Sequence, residues 1–207
     1  MNANKVAVLA EIASRAGKKV IVEIGCGAQK EHEDSIAIDL IEYRNVELVG
    51  AVDEVLPLFP SESVDEIYSR RFLEHVENPQ AILCLAAQAL RPGGRLEITV
   101  PHFSNPYFWS DPTHRRPFGL YSFCYFAESA LFRRSVPKYA IIRDLRLVDV
   151  QLGFRSVRPF YLRHVLRRIF GGVVNMSRFA QEFYEDALSN LISCYEVTAV
   201  MTKVRGE

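Results

Sequence analysis

The chain has 207 residues, 49% hydrophobic and 24% charged, with 25 basic and 25 acidic residues and no net charge at neutral pH. That balance excludes a disordered tail, a membrane-spanning bundle and a globally basic nucleic-acid binder, and predicts one soluble globular domain over residues 1–207. Cys26, Cys84, Cys124 and Cys194 are scattered without a C-x-x-C pair, so no disulfide framework or metal site is indicated and a reducing, cytoplasmic setting is expected.

In chain order, the run Val6–Ala10 is interrupted by Glu11, and Lys18-Lys19 follow it rather than precede it, so it predicts a leading helix and not a secretory signal. Val20–Ile24 reads as the first strand, Gly25-Cys26-Gly27 as a turn, and Ser35–Asp39 as the second strand. Glycines without Cβ let the chain bend sharply and let a ligand approach the backbone. Asp39 then ends a parallel strand, where a carboxylate can accept from both hydroxyls of a ribose. A dinucleotide site would need a third glycine where Lys30 stands, and its acid about 20 residues beyond the turn. The link between the two strands is short and predicts only a short crossover helix. A compact nucleoside ligand without a pyrophosphate therefore fits better than NAD or FAD.

Val64–Ser69 reads as a further strand. Asn78-Pro79 starts a helix that carries Ile82, Leu83, Ala86 and Leu90 on one stripe until Pro92-Gly93-Gly94 stops it. Arg95–Val100 makes the next strand. Alternating strands and helices imply a parallel sheet covered on both faces, with ligands at the C-terminal strand ends. Ser69, Arg70 and the segment Pro101–Ser104 should therefore open onto the same crevice as Gly25, making residues 1–101 the cofactor half.

Residues 102–140 form the expected substrate region. Its segment Pro101–Arg116 is a loop by its prolines and a pocket by its aromatics: Tyr107 and Trp109 supply walls, and His102, Asp111, His114, Arg115 and Arg116 supply polar groups. The structural alternative is an Asp-Pro turn closed by a side-chain hydrogen bond. For a hydroxyl acceptor, His114 held by Asp111 is the first candidate base and His102 the second. Glu74 and His75 read as loop-orienting. Leu145–Val150 and Cys194–Val200 are the last two strands, and between them residues 159–192 form an insertion of two helices broken at Gly171-Gly172.

Charge is uneven. Residues 1–103 hold 10 basic against 16 acidic groups, and residues 112–178 hold 13 basic against 3 acidic. Arg133, Arg134, Arg155, Arg158, Arg163, Arg167 and Arg168 belong to that excess, which favours an anionic acceptor, a phosphorylated carrier or an anionic membrane surface over a specific nucleic acid. The first helix of the insertion has an apolar side and an arginine side, a pattern that serves a membrane interface, a lid or plain packing.

Glu23-Ile24-Gly25-Cys26-Gly27, Asp39, Val64–Ser69 with Phe72-Leu73-Glu74-His75-Val76, and Leu90-Arg91-Pro92-Gly93-Gly94 resemble, in order, the motifs of the class I S-adenosylmethionine-dependent methyltransferases, in particular the small type 11 group. The resemblance implies a doubly wound, mostly parallel seven-stranded α/β sheet with an antiparallel last strand and a helical insertion before it. It implies S-adenosylmethionine as cofactor, held by Glu23, Gly25, Cys26, Gly27, Asp39 and Leu40, with Ser69 and Arg70 from the fourth strand. Gln29 departs from a frequent third glycine, and the usual adenine-binding acid falls on Ala51 or Val52, so the adenine is expected to rest on backbone groups around Val52 and Asp53. Asp111, His114 and Arg116 match an Asp-x-x-His-x-Arg element of that group. Related type 11 proteins also suggest a glycan intermediate as acceptor, methylated on oxygen more readily than nitrogen. Two other classes stay open: a non-catalytic cofactor-fold protein that binds through its basic face, and a nucleotide-linked oxidoreductase.

Overall fold

The computed structural model describes residues 3–205. A leading helix, α1 (Ala3–Ser14), buries Val8. Strands β1 (Ile21–Ile24), β2 (Ile36–Asp39) and the two-residue β3 (Leu48–Val49) follow. Val22, Ile36, Ala37 and Ile38 are fully buried, as continuous apolar runs must be in parallel strands covered on both faces. Next come α2 (Val52–Val55), β4 (Val64–Arg70), α3 (Pro79–Ala89) and β5 (Leu90–Pro101). The start of α3 uses the expected signals: the Asn78 side chain accepts from the Ala81 amide and Pro79 takes the first turn. The helix ends at Ala89 because Leu90 already pairs with Val64 in the sheet. The chain closes with α4 (Pro106–Ser110), β6 (Ala127–Glu128), β7 (Ile142–Gly153), α5 (Tyr161–Val174), α6 (Arg178–Phe183) and β8 (Glu196–Lys203).

The strands form one sheet in the order β3-β2-β1-β4-β5-β8-β7-β6. Pairing is parallel from β3 through β5, and β8 runs antiparallel to both β5 and β7. The fold is the expected α/β sheet with a helical insertion before an antiparallel last strand, but it has eight strands rather than seven. The extra strand, β6, is two residues long and pairs only with β7, too short to show any alternation in sequence.

The β1–β2 link also differs from expectation, since residues 25–35 hold no helix. Glu23 does the work a helix would do for this segment. Its buried carboxylate accepts from the Glu31 and His32 amides and the Ser35 hydroxyl. Lys30 ties the loop further by donating to the Ser35 carbonyl and to Glu47. With no helix N-terminus here, the segment lacks the feature that holds a pyrophosphate in dinucleotide folds.

Glu196, the first residue of β8, pairs opposite Pro101 at the end of β5 and Gly153 at the end of β7. The C-terminal ends of β1, β4, β5 and β7 and the start of β8 therefore share one edge of the sheet, where open α/β sheets bind ligands. Among the described residues, no helix is long and apolar enough to cross a membrane.

Candidate active site

Two cavities meet on this edge. The first, about 600 Å³, is lined by Glu23, Gly25, Cys26, Gly27, Ala28–Glu31, Arg70 and Arg71. Gly25 and Gly27 both have left-handed backbones, φ +65° and +61°. A Cβ on Gly25 would meet Phe72 side-chain atoms at 2.5 Å, whereas one on Gly27 would enter open space. The first glycine is thus demanded by packing as well as conformation, and the second leaves bare backbone facing the cavity. Gly25→Ala should cost about 2–4 kcal/mol of stability from strain plus overpacking, read by denaturant unfolding. An unchanged midpoint would show that Phe72 and the turn yield freely.

Asp39 supports the same bend. Its carboxylate accepts from the Gly27 amide at 2.8 Å through one oxygen and from the Ile41 amide at 2.9 Å through the other, leaving further lone pairs for a ligand. Leu40 beside it is exposed. Ser69 is buried with its hydroxyl unpartnered. Val52 is buried in the core and Asp53 is exposed, and neither side chain lines this cavity. Burial pushes the Cys26 thiol up to about 11, with Asp39 and Glu23 adding to the rise, which leaves a protonated thiol and no nucleophile. Arg70 pairs with Glu31 and lies 3.6 Å from Glu196.

The second cavity, about 240 Å³, is lined by Arg71, Glu74, His75, Pro101, Asn105, Tyr107, Phe108, Asp111, His114, Tyr195 and Glu196. Arg71 lines both cavities. It is also a non-glycine residue at φ +52°, held by its amide on the Thr99 carbonyl, the kind of strained position that clusters at functional sites. Nothing local in the sequence singles it out.

His114 is nearly buried and stacks on Phe108. Its Nδ1 lies 2.8 Å from the Phe108 carbonyl, which can only accept, so Nδ1 carries the proton and Nε2 the lone pair. Nε2 lies 3.7 Å from Asp111 and 3.9 Å from Glu74. Asp111 therefore does not orient the imidazole, as the sequence suggested; the Phe108 carbonyl does. Asp111 instead closes a turn, accepting from the Thr113 amide and hydroxyl, and these bonds hold its carboxyl below the usual range. The Thr113 hydroxyl in turn takes the Nδ1–H of His75. Glu74 is fully buried with neither oxygen hydrogen-bonded, and burial pushes its carboxyl up to about 7. Glu74, His75 and His114 each bring one ligand-type atom within 4.8 Å of the others, a grouping that cysteine spacing could not reveal.

Several expected site residues stand elsewhere. His102 is fully buried: its Nδ1 accepts from the Ser104 amide and its Nε2–H donates to Glu185 at 2.9 Å. With both nitrogens engaged inside the core, it is a structural histidine rather than a base. Trp109 is exposed and spends its indole N–H on the Phe103 carbonyl. Arg115 and Arg116 donate backbone amides to the Glu74 carbonyl, while their side chains turn to Glu77. Tyr107 remains in the cavity wall.

A smaller basic recess adjoins the second cavity through Asn105, Tyr107 and Tyr195 and adds Arg155, Arg163 and Arg167. Arg155 stacks on the Tyr195 ring at 4.0 Å and pairs with Glu196 at 3.1 Å.

Residues 22–98 match the family model described as "Methyltransferase domain". Over that segment the chain is similar to the methyltransferase family. The matched segment runs from β1 into β5 and contains the glycine turn, Asp39, Arg71 and Glu74. Among solved structures, the fold is similar to that of a SAM-dependent methyltransferase from Archaeoglobus fulgidus, with 16% identity, 96% of this chain and 92% of that one covered, and a TM-score of 0.57. It is similar also to an S-adenosylmethionine-dependent methyltransferase from Mesorhizobium loti, with 16% identity, 98% and 99% covered, and a TM-score of 0.53. A third similar fold is phosphoethanolamine N-methyltransferase 2 of Haemonchus contortus, with 13% identity, 96% and 52% covered, and a TM-score of 0.51. No curated protein matches the chain in sequence. The fold is that of the class I S-adenosylmethionine-dependent methyltransferases.

Proposed function

We propose that the enzyme uses S-adenosylmethionine to methylate a hydroxyl of a small or carrier-linked anionic acceptor, with a glycan intermediate as the acceptor class. The observation that carries this reading is the shared wall at Arg71: a cleft with a bare glycine backbone and a pocket with a free imidazole nitrogen adjoin at one strand end. The cleft fits an adenosyl group, because Gly27 leaves room for close approach and Asp39 retains acceptor capacity.

When bound, S-adenosylmethionine supplies a methyl carbon already activated by positive sulfur. The protein has to align the acceptor with that carbon, exclude water and remove one proton. His114 Nε2 would take the proton of the acceptor hydroxyl. Tyr107, Phe108 and Tyr195 wall the acceptor, and Arg155, Arg163 and Arg167 hold its negative group in the adjoining recess.

The test is transfer of labelled methyl to hydroxyl-bearing sugar phosphates, with matched amines alongside. Label in the hydroxyl compounds supports the reading; label only in amines, or in nothing, refutes it. Asp39→Ala should weaken donor binding by about 1–3 kcal/mol, from unpaired ribose hydroxyls and a loosened turn. Calorimetry reads this directly, and unchanged affinity would remove Asp39 from the site.

A further inference from the structure

Helix α5 buries only a narrow edge, at Gly171 and Val174, with Phe170 packed on Phe154 and Tyr184. Its Tyr161, Leu162, Val165, Leu166, Ile169 and Val173 are 53–74% exposed. At 100° per residue these six cover an arc of about 140°, and Arg163 and Arg168 fall on its two borders. Apolar side chains gathered on one face in this way gain by leaving water, so an exposed patch of this kind marks an interaction surface.

Charge identifies what covers it. From Val150 to Gln181 there is no acidic residue. Arg158, Arg163 and Arg168 are all exposed, and Arg133 lies 5.6 Å from the Phe179 ring on α6, adding a cation beside a further exposed aromatic. A two-fold contact between copies sets a patch against itself and would oppose these arginine borders. An anionic lipid surface satisfies both components, taking aliphatic side chains at the acyl boundary and arginines on the phosphates.

We infer that α5 docks in the plane of an anionic lipid surface, with Leu162, Val165, Leu166 and Ile169 facing the acyl chains and Arg158, Arg163 and Arg168 facing the headgroups. The basic recess shares Arg163 with this helix, so docking brings the acceptor pocket beside the membrane, where a lipid-carried acceptor would enter. The docking rests on α5 alone and stands or falls separately from methyl transfer.

Flotation of the full chain with vesicles tests it. Binding is expected with phosphatidylcholine mixed with phosphatidylglycerol, weak with phosphatidylcholine alone, and diminished by salt. Arg168→Glu, and Leu166→Glu with Ile169→Glu, should each weaken binding by about tenfold or more, with melting temperature and donor affinity unchanged because these side chains are exposed. Absence of vesicle binding, equal binding to neutral vesicles, or indifference to Leu166→Glu with Ile169→Glu would overturn the inference. So would self-association abolished by the same substitutions in place of vesicle binding.

Discussion

The His114→Ala variant should turn over about 10²- to 10⁴-fold more slowly than the parent while binding donor with the same affinity. The expectation follows from tautomer and position. The Phe108 carbonyl takes the Nδ1 proton, so the lone pair on Nε2 is fixed on the side of the cavity that holds Glu74 and Asp111. Neither carboxylate is within hydrogen-bond distance, and the nitrogen is free to receive a proton. Among the histidines, His102 offers the contrast, because Ser104 and Glu185 occupy both of its ring nitrogens. His102→Ala should therefore lower stability together with activity. Single-turnover kinetics with labelled donor, beside donor calorimetry, separate the cases; loss of donor affinity in His114→Ala would reduce its role to holding the loop against Phe108.

The second large effect is on stability. Glu74 is buried without a partner, and burial, aided by the charge of Asp111 and opposed by its own backbone and Arg71, raises its carboxyl from 4.5 to about 7. The folded state thus holds this proton more tightly than the unfolded chain does. Glu74 imposes no penalty below the unfolded value of 4.5; its stability contribution is lost as pH rises towards the folded value, and the penalty persists above it. The full loss is about 3 kcal/mol. Glu74→Gln should remove that slope, because the amide is neutral throughout, and the variant should be the more stable protein above neutrality. Urea unfolding of both proteins across pH 4 to 8, about the window these two values define, reads the difference between their slopes. Equal slopes would mean that Glu74 is ionised and solvated in the folded protein.

How legible these features were depended on whether their causes are local. The strands β1, β2, β4 and β5 show as apolar runs because both faces of a parallel sheet are covered, and Asn78-Pro79 marks α3 because its cap is three residues long in reach. The glycine turn shows for a similar reason, since Gly25 and Gly27 hold conformations that other residues rarely adopt. Long-range partners have no such signature. His102 and His114 look equivalent in a loop rich in aromatics; what separates them is Glu185, 83 positions beyond His102 in the chain. The crossover helix is absent because Glu23 captures amides eight and nine residues ahead of it. Arg71 looks like any arginine after a strand, and its backbone strain appears only once the Thr99 carbonyl is in place. The exposure of the α5 face follows from which side of the helix meets β7, which its amphipathic pattern does not reveal.

The most direct measurement is a crystal structure of the protein with S-adenosylhomocysteine. Ribose hydroxyls are expected on Asp39, the chain of the ligand along Gly25–Gly27, and its sulfur beside Arg71 facing the pocket of His114. A ligand bound elsewhere, or with its sulfur turned from that pocket, would contradict this placement.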